Sequence, residues 1–201
     1  MTGNEKGHRE STVQSAQEIG GELDSPRVRH SESASDFGID DIRIRRISAQ
    51  DRQRFLEFFR GLSPATNALR FLALKKQLSG EELIYLTEPD GTRHVALVAV
   101  LTENGRERIV GAARFIVLPD SAGGNDHAEL AVTVADEFQG KGIGARLVLH
   151  LIPLAKRHGV RVFELYASSR NTRIWRMVKR LAPQAARVVE GAVFHITFPL
   201  P

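Results

Sequence analysis

Ile42-Arg43-Ile44-Arg45-Arg46-Ile47 alternates apolar and charged residues, the period of a strand with one face buried. Ser48 follows as a helix N-cap, with Asp51 at the third position in the manner of a capping box. From Ala49 to Arg60, Phe55, Leu56, Phe58 and Phe59 make a broad apolar helical face. Ser63-Pro64 restarts a helix, since proline fits the first helical position, and Ser79 with Glu81 and Glu82 opens a third one running to Thr87. After the Pro89-Asp90-Gly91 turn, Arg93–Thr102 is a continuous apolar strand. Asn104-Gly105 predicts a hairpin into Arg108–Leu118. A Gly/Ser/Asp loop over Pro119–Asp126 leads to a strand at His127–Ala135. The pattern then predicts a helix over Gly142–His158, bent after Leu149 by Pro153 and ended by Gly159. A strand at Val160–Ala167, a helix at Asn171–Leu181 and strands at Arg187–Val189 and Val193–Phe198 complete an α/β succession. The hairpins predict an antiparallel N-terminal half of the sheet, and the crossover helix predicts a parallel central pair.

Residues 1–38 break this pattern. They are rich in Gly, Ser, Glu and Gln, with only Val13, Ile19, Leu23, Val28 and Phe37 to bury, so they are expected to form a disordered acidic tail ahead of a folded domain at 39–201. Four basic residues stand against seven acidic ones there, a net −3. The whole chain carries +4, so the rest carries +7, a charge suited to a polyanionic ligand. Nucleic acid is disfavoured as that ligand because no recognition motif accompanies the charge. There is no cysteine, which excludes disulfides, a thiolate metal site and a cysteine acyl-enzyme; no metal is expected. No apolar run is long enough to cross a bilayer and no signal-peptide core is present, so a cytoplasmic location without membrane association is expected.

The stretch around which the chain is organised is Gln139-Gly140-Lys141-Gly142-Ile143-Gly144, between a strand and a long amphipathic helix. A glycine-rich turn there brings helix-end N–H groups to a point, adds the positive end of the helix dipole, and lets an anion approach without meeting a Cβ. A P-loop would need Lys followed by Ser or Thr, but Lys141 is followed by Gly142. A dinucleotide fingerprint would place the third glycine one residue later than Gly144.

The run Val132-Thr133-Val134-Ala135-Asp136-Glu137-Phe138-Gln139-Gly140-Lys141-Gly142-Ile143-Gly144 resembles the acetyl-CoA-binding motif Q/R-x-x-G-x-G/A of the GNAT acetyltransferases. The helical block Leu62–Phe71, then Leu78–Leu83 and Asp90–Ala99, resembles the bacterial protein lysine acetyltransferases, the Pat branch of that superfamily. The resemblance runs from about residue 42 onward and implies a GNAT fold, with helices flanking a mixed sheet whose parallel central pair splays at a bulge. It implies acetyl-CoA as co-substrate, Val132, Thr133 and Val134 on the pantetheine, and Gln139, Gly140, Lys141, Gly142, Ile143, Gly144 and Ala145 at the pyrophosphate turn. Gln139 is expected to brace that turn, and Lys141 and Arg146 to add charge near it. Asn171, which opens the next helix, matches the family's cofactor-contacting Asn and is also a good N-cap.

Direct acyl transfer to an amine needs a base, because a free lysine with pKa near ~10.4 is mostly ammonium at neutral pH. Glu129 matches the family's catalytic Glu, acting through a water, with His127 two residues earlier as fallback. Val178 occupies the position where many members carry a Tyr general acid, so that role is open to Tyr166 or solvent. The resemblance implies transfer to a lysine of a protein partner such as an acyl-CoA synthetase. A small-amine acetyltransferase and a non-catalytic acyl-CoA-binding module are the alternatives, and oligomeric state is not legible.

Overall fold

The computed structural model describes residues 41–119 and 126–201. The tail expected at 1–38 lies outside the described residues, as does most of the Pro119–Asp126 loop. Strand β1 (Ile42–Arg46) leads through a short 3-10 turn (Ala49–Asp51) into α1 (Arg52–Gly61), α2 (Pro64–Phe71) and α3 (Gly80–Thr87). The hairpin β2 (His94–Glu103) and β3 (Arg106–Val117) follows, then β4 (His127–Val134), α4 (Ile143–Arg157), β5 (Val162–Ser168), α5 (Thr172–Leu181), β6 (Ala186–Glu190) and β7 (Val193–Pro199).

The helix expected from Ala49 starts instead as a 3-10 turn, and the reason is Asp51. The Asp51 carboxylate accepts from Ser48 N–H at 3.1 Å and from both Arg45 guanidinium arms at 2.7 Å. Only 1% exposed, it pins the helix start to β1. Burial pushes the Asp51 carboxyl up, but the Arg45 bonds and charge and the Ser48 donors outweigh it and hold it below its ordinary value. Ser63 caps α2 by accepting from Thr66 N–H at 3.2 Å, and Ser79 caps α3 by accepting from Glu82 N–H at 3.1 Å. Helix α4 runs through Pro153 to Arg157, forgoing one bond on a side where Leu149 is half exposed.

The strands form one seven-stranded sheet in the order β1-β2-β3-β4-β5-β7-β6. Every neighbouring pair is antiparallel except β4–β5. That parallel pair has three register pairs, from His127↔Val162 to Glu129↔Glu164, and Leu130–Val134 lie beyond the last of them. The central pair therefore splays after Glu129. The register shift falls two ladders away from the splay, between Ala99 and Val100 of β2 opposite β3, while β3 and β4 pair without interruption from Gly111↔Val134 to Val117↔Ala128. The chain thus opens the sheet by divergence of β4 from β5, not by a slip in β4 against β3.

On one face, Phe115, Leu130, Phe163 and Phe198 pack with Leu147 and Leu151 of α4, all at most 3% exposed. Burying such side chains contributes about 1.5–3 kcal/mol each. Phe55, Phe58 and Leu86 bury the α1–α3 side of the core. Strand β6 is an exposed edge, its five residues all at the surface.

Candidate active site

The glycine turn has the backbone its residues predict. Gly140 and Gly142 sit at φ +80° and +84°, where a Cβ is strained, and an added Cβ at either would meet nothing within 4 Å. The first helical bond runs from Arg146 N–H to the Gly142 carbonyl at 3.0 Å, so the N–H groups of Ile143, Gly144 and Ala145 have no partner within the helix. Gly144 has another reason to be glycine. Its Cβ would lie 3.4 Å from Met177 Sδ and 3.6 and 3.7 Å from Val134 and Val132 Cγ2, so α4 starts close against β4 and α5. Open space at the turn, free donors and the end of a helix dipole make a cradle that fits a diphosphate.

A polar chain ties this turn to its surroundings. Gln139 Nε2 donates to the Val134 carbonyl at 3.1 Å and to Thr66 Oγ1 at 3.0 Å, and Gln139 Oε1 accepts from Arg173 Nη1 at 2.7 Å. Thr66 and Ser63 hydroxyls both donate to Asp136 Oδ1 at 2.7 Å. The start of α2, the end of β4, the turn and α5 are thereby joined through Gln139 and Asp136. Among the turn's charges, Lys141 lies over the Phe138 ring at 5.4 Å, while Arg146 donates to the Ile42 carbonyl at 3.2 Å. Asn171 Oδ1 accepts from Ile174 N–H at 3.2 Å and so caps α5. Val178 is fully buried.

Beyond the last β4–β5 pair, Val132 and Val134 are half-buried beside α4 and Thr133 is buried. Glu129 stands at the parting itself, opposite Glu164, half-buried on a cavity of about 580 Å³. That cavity runs from α2 and the segment after it to α3, β3 and β4, and Arg70, Tyr85, Arg114 and Ala131 also line it. His127, the fallback base, is engaged elsewhere: its Nδ1 hydrogen-bonds Glu164, whose other oxygen pairs with His195 Nε2 at 2.9 Å. Burial pushes the Glu164 carboxyl up, and the two histidines more than offset this and hold it low. Tyr166, 45% exposed, stacks on His195 at 4.6 Å, and desolvation with the charges of Glu164, Glu190 and Glu129 raises its hydroxyl pKa.

Sequence reasoning passed over Arg70, Arg114, Glu164 and His195. Arg114 did leave a signal, a lone cation inside the apolar run Ile109–Val117. Glu164 and His195 read as ordinary alternating strand residues until β5 and β7 are paired.

The parallel strands thus diverge into a cleft closed at one end by the glycine turn and flanked by a carboxylate-bearing cavity. The profile of the Acetyltransferase (GNAT) family matches residues 58–182, and the chain belongs to that family. It is 39% identical over 118 residues to Acetyltransferase PA5475 of Pseudomonas aeruginosa, covering 59% of this chain and 61% of that protein. It is 31% identical over 150 residues to Acetyltransferase Pat of Mycolicibacterium smegmatis, covering 75% of this chain and 43% of that protein. The chain thus spans less than two thirds of the length of either. Among solved structures, the GNAT domain of S. lividans PAT superposes with a TM-score of 0.70 at 26% identity, covering 79% of this chain and 90% of that one.

Proposed function

We propose that residues 39–201 form an acetyl-CoA-dependent N-acetyltransferase domain that transfers the acetyl group directly to a lysine side chain of a protein. The observation that carries the reading is the placement of Glu129 where β4 and β5 part, between the cofactor cleft and the α2–α3 cavity. Acetyl-CoA supplies the activated thioester; the protein supplies position and charge. The N–H groups of Ile143, Gly144 and Ala145 hold the diphosphate, with Gly140 and Gly142 giving room and Lys141 nearby. Leu130–Val134, unpaired with β5, offer strand edge to the pantetheine, and an N–H near Val132 stabilises the developing oxyanion. The Val134 carbonyl is already taken by Gln139, which braces the far end of that edge. Glu129 accepts the ammonium proton through a water, and departure as a thiolate with pKa near ~8.5 needs no strong acid.

A protein acceptor is supported by the cavity's rim, where Leu74 and Tyr85 are 55% and 51% exposed and offer apolar surface at the mouth. No described helix is long and apolar enough to cross a membrane. The test is thiol release from acetyl-CoA with an acyl-CoA synthetase as acceptor, followed by mass spectrometry of its lysines. Turnover with labelled lysines is expected, and Glu129→Gln should lower kcat by about 10²–10⁴ while leaving CoA affinity unchanged. Acetylation of polyamines with no protein labelled would replace this reading by a small-amine enzyme. CoA binding with no turnover on any acceptor would make the domain a binding module.

A further inference from the structure

The cavity beside Glu129 carries a charge that the acetylation reading alone does not use. Arg114, 4% exposed, projects into it from the middle of β3, held by His94 Nε2 at 3.2 Å from Nη1 and by the Leu86 carbonyl at 3.2 Å from Nη2. Arg70 reaches it from the last turn of α2, its guanidinium 4.9 Å from the Phe71 ring centroid. Among the described residues neither arginine forms an ion pair with a carboxylate, although Arg70 feels the charge of Glu129.

A buried guanidinium without a carboxylate is costly, since desolvation is offset only when opposite charge or enough acceptors replace water. Here desolvation, followed by the Arg70 charge, pulls the Arg114 pKa down to about 9, so the two cations destabilise each other. The ionisable side chains facing the cavity are Arg70, Lys75, Glu82, Tyr85, Arg114 and Glu129, and Lys75 is paired with Glu82. The remaining charge is two cations against Glu129. An acceptor entering as a bare ammonium would add a third cation. One that brings a carboxylate beside its amine would neutralise the pocket and give the guanidinium donors a planar, bidentate partner.

Building on the acetyltransferase reading, we propose that Arg70 and Arg114 form an anion subsite, and that the preferred acceptor carries a carboxylate next to the amine presented to Glu129. The carboxylate belongs either to an acidic residue flanking an acceptor lysine or to a small amino acid; both share the chemistry. Arg70 is the specificity-determining residue, because it stands at the half-buried mouth side, while Arg114 forms the fixed back wall.

The experiment compares matched acceptors in steady-state acetylation. One arm uses a lysine peptide with flanking Glu against the same peptide with Gln, and the other uses 4-aminobutyrate against its amide. In at least one arm kcat/KM should favour the carboxylate by about 10-fold or more, mostly through KM, as for a lost charged hydrogen bond. Arg70→Gln should erase that ratio, and Arg70→Lys should restore part of it. A merely structural Arg70 would lower both members of each pair alike and leave the ratio intact. The arm that shows the preference identifies the source. Equal rates in both arms for the wild type, or a ratio that survives Arg70→Gln, overturns the subsite. A calorimetric titration with glutarate decides the matter even if no acceptor turns over, the outcome that would defeat the acetyltransferase reading. Binding weakened about 10-fold or more by Arg70→Gln supports the subsite, and no binding to the wild type overturns it.

Discussion

Gly142→Ala tests the cofactor cradle, and Gly159→Ala is its matched control. Both glycines have left-handed backbone, φ +84° and +82°, and an added Cβ at either would meet nothing within 4 Å. Steric collision is therefore absent at both, and what remains is the conformational cost of an L-residue in this region, about 1–2 kcal/mol. At Gly159, past the end of α4 and remote from the turn, the entire cost should appear in folding stability. At Gly142 the turn can relax part of the way toward ordinary backbone, because the N–H groups of Ile143, Gly144 and Ala145 have no helical partners to lose. Only the Gly142 carbonyl, which accepts from Arg146 N–H at 3.0 Å, resists. Relaxation recovers part of the strain in the unbound protein but scatters the donors, and the ligand must then restore them. The strain is therefore divided between folding and binding. Urea unfolding measures the first part and calorimetric titration with CoA the second. Gly159→Ala should lose about 1–2 kcal/mol of stability with wild-type CoA affinity. Gly142→Ala should lose about half as much stability and bind CoA about 2–5-fold more weakly, the two losses together matching the control. Unchanged CoA affinity in Gly142→Ala, or equal loss of affinity in Gly159→Ala, would refute the assignment of the diphosphate to this turn.

Two further predictions concern the framework. His94 is 7% exposed, and burial together with the Arg114 charge lowers its pKa to about 4 from 6.5, the nearby Asp90 opposing. Between those values the unfolded chain binds the proton and the folded chain does not, so stability falls as pH drops from 6.5 to about 4 and levels off below. The change is up to about 3 kcal/mol, and urea midpoints across pH 4–7 should show a slope that His94→Gln flattens. Asp51→Ala removes the buried carboxylate between Arg45 and the start of α1, where Glu107 remains as a second partner at 2.6 Å. It should cost about 2–3 kcal/mol by chemical denaturation, below the usual range for breaking a buried pair, and a loss under 0.5 kcal/mol would mean that this pair does not anchor α1.

What the sequence determined by itself was local. The alternation in Ile42–Ile47, the Ser63 and Ser79 caps, the Asn104-Gly105 hairpin and the glycine turn at 139–144 each carry their geometry within a few residues, and the elements appear within a residue or two of where those signals put them. Positive φ at Gly140 and Gly142 follows from the turn alone, and the family motif placed that turn beside a strand. Departures came where a distant residue intervened: Arg45 captured Asp51 and reshaped the start of α1, and Glu164 captured His127. Tertiary structure alone decided that β7 lies between β5 and β6, that β4 and β5 part after three register pairs, and that Arg70, Arg114 and Glu129 share one cavity. Those three side chains come from a helix and from two consecutive strands that follow it. Periodicity reports which face of its own element a residue occupies, whereas the meeting of faces depends on the register and packing of the whole sheet.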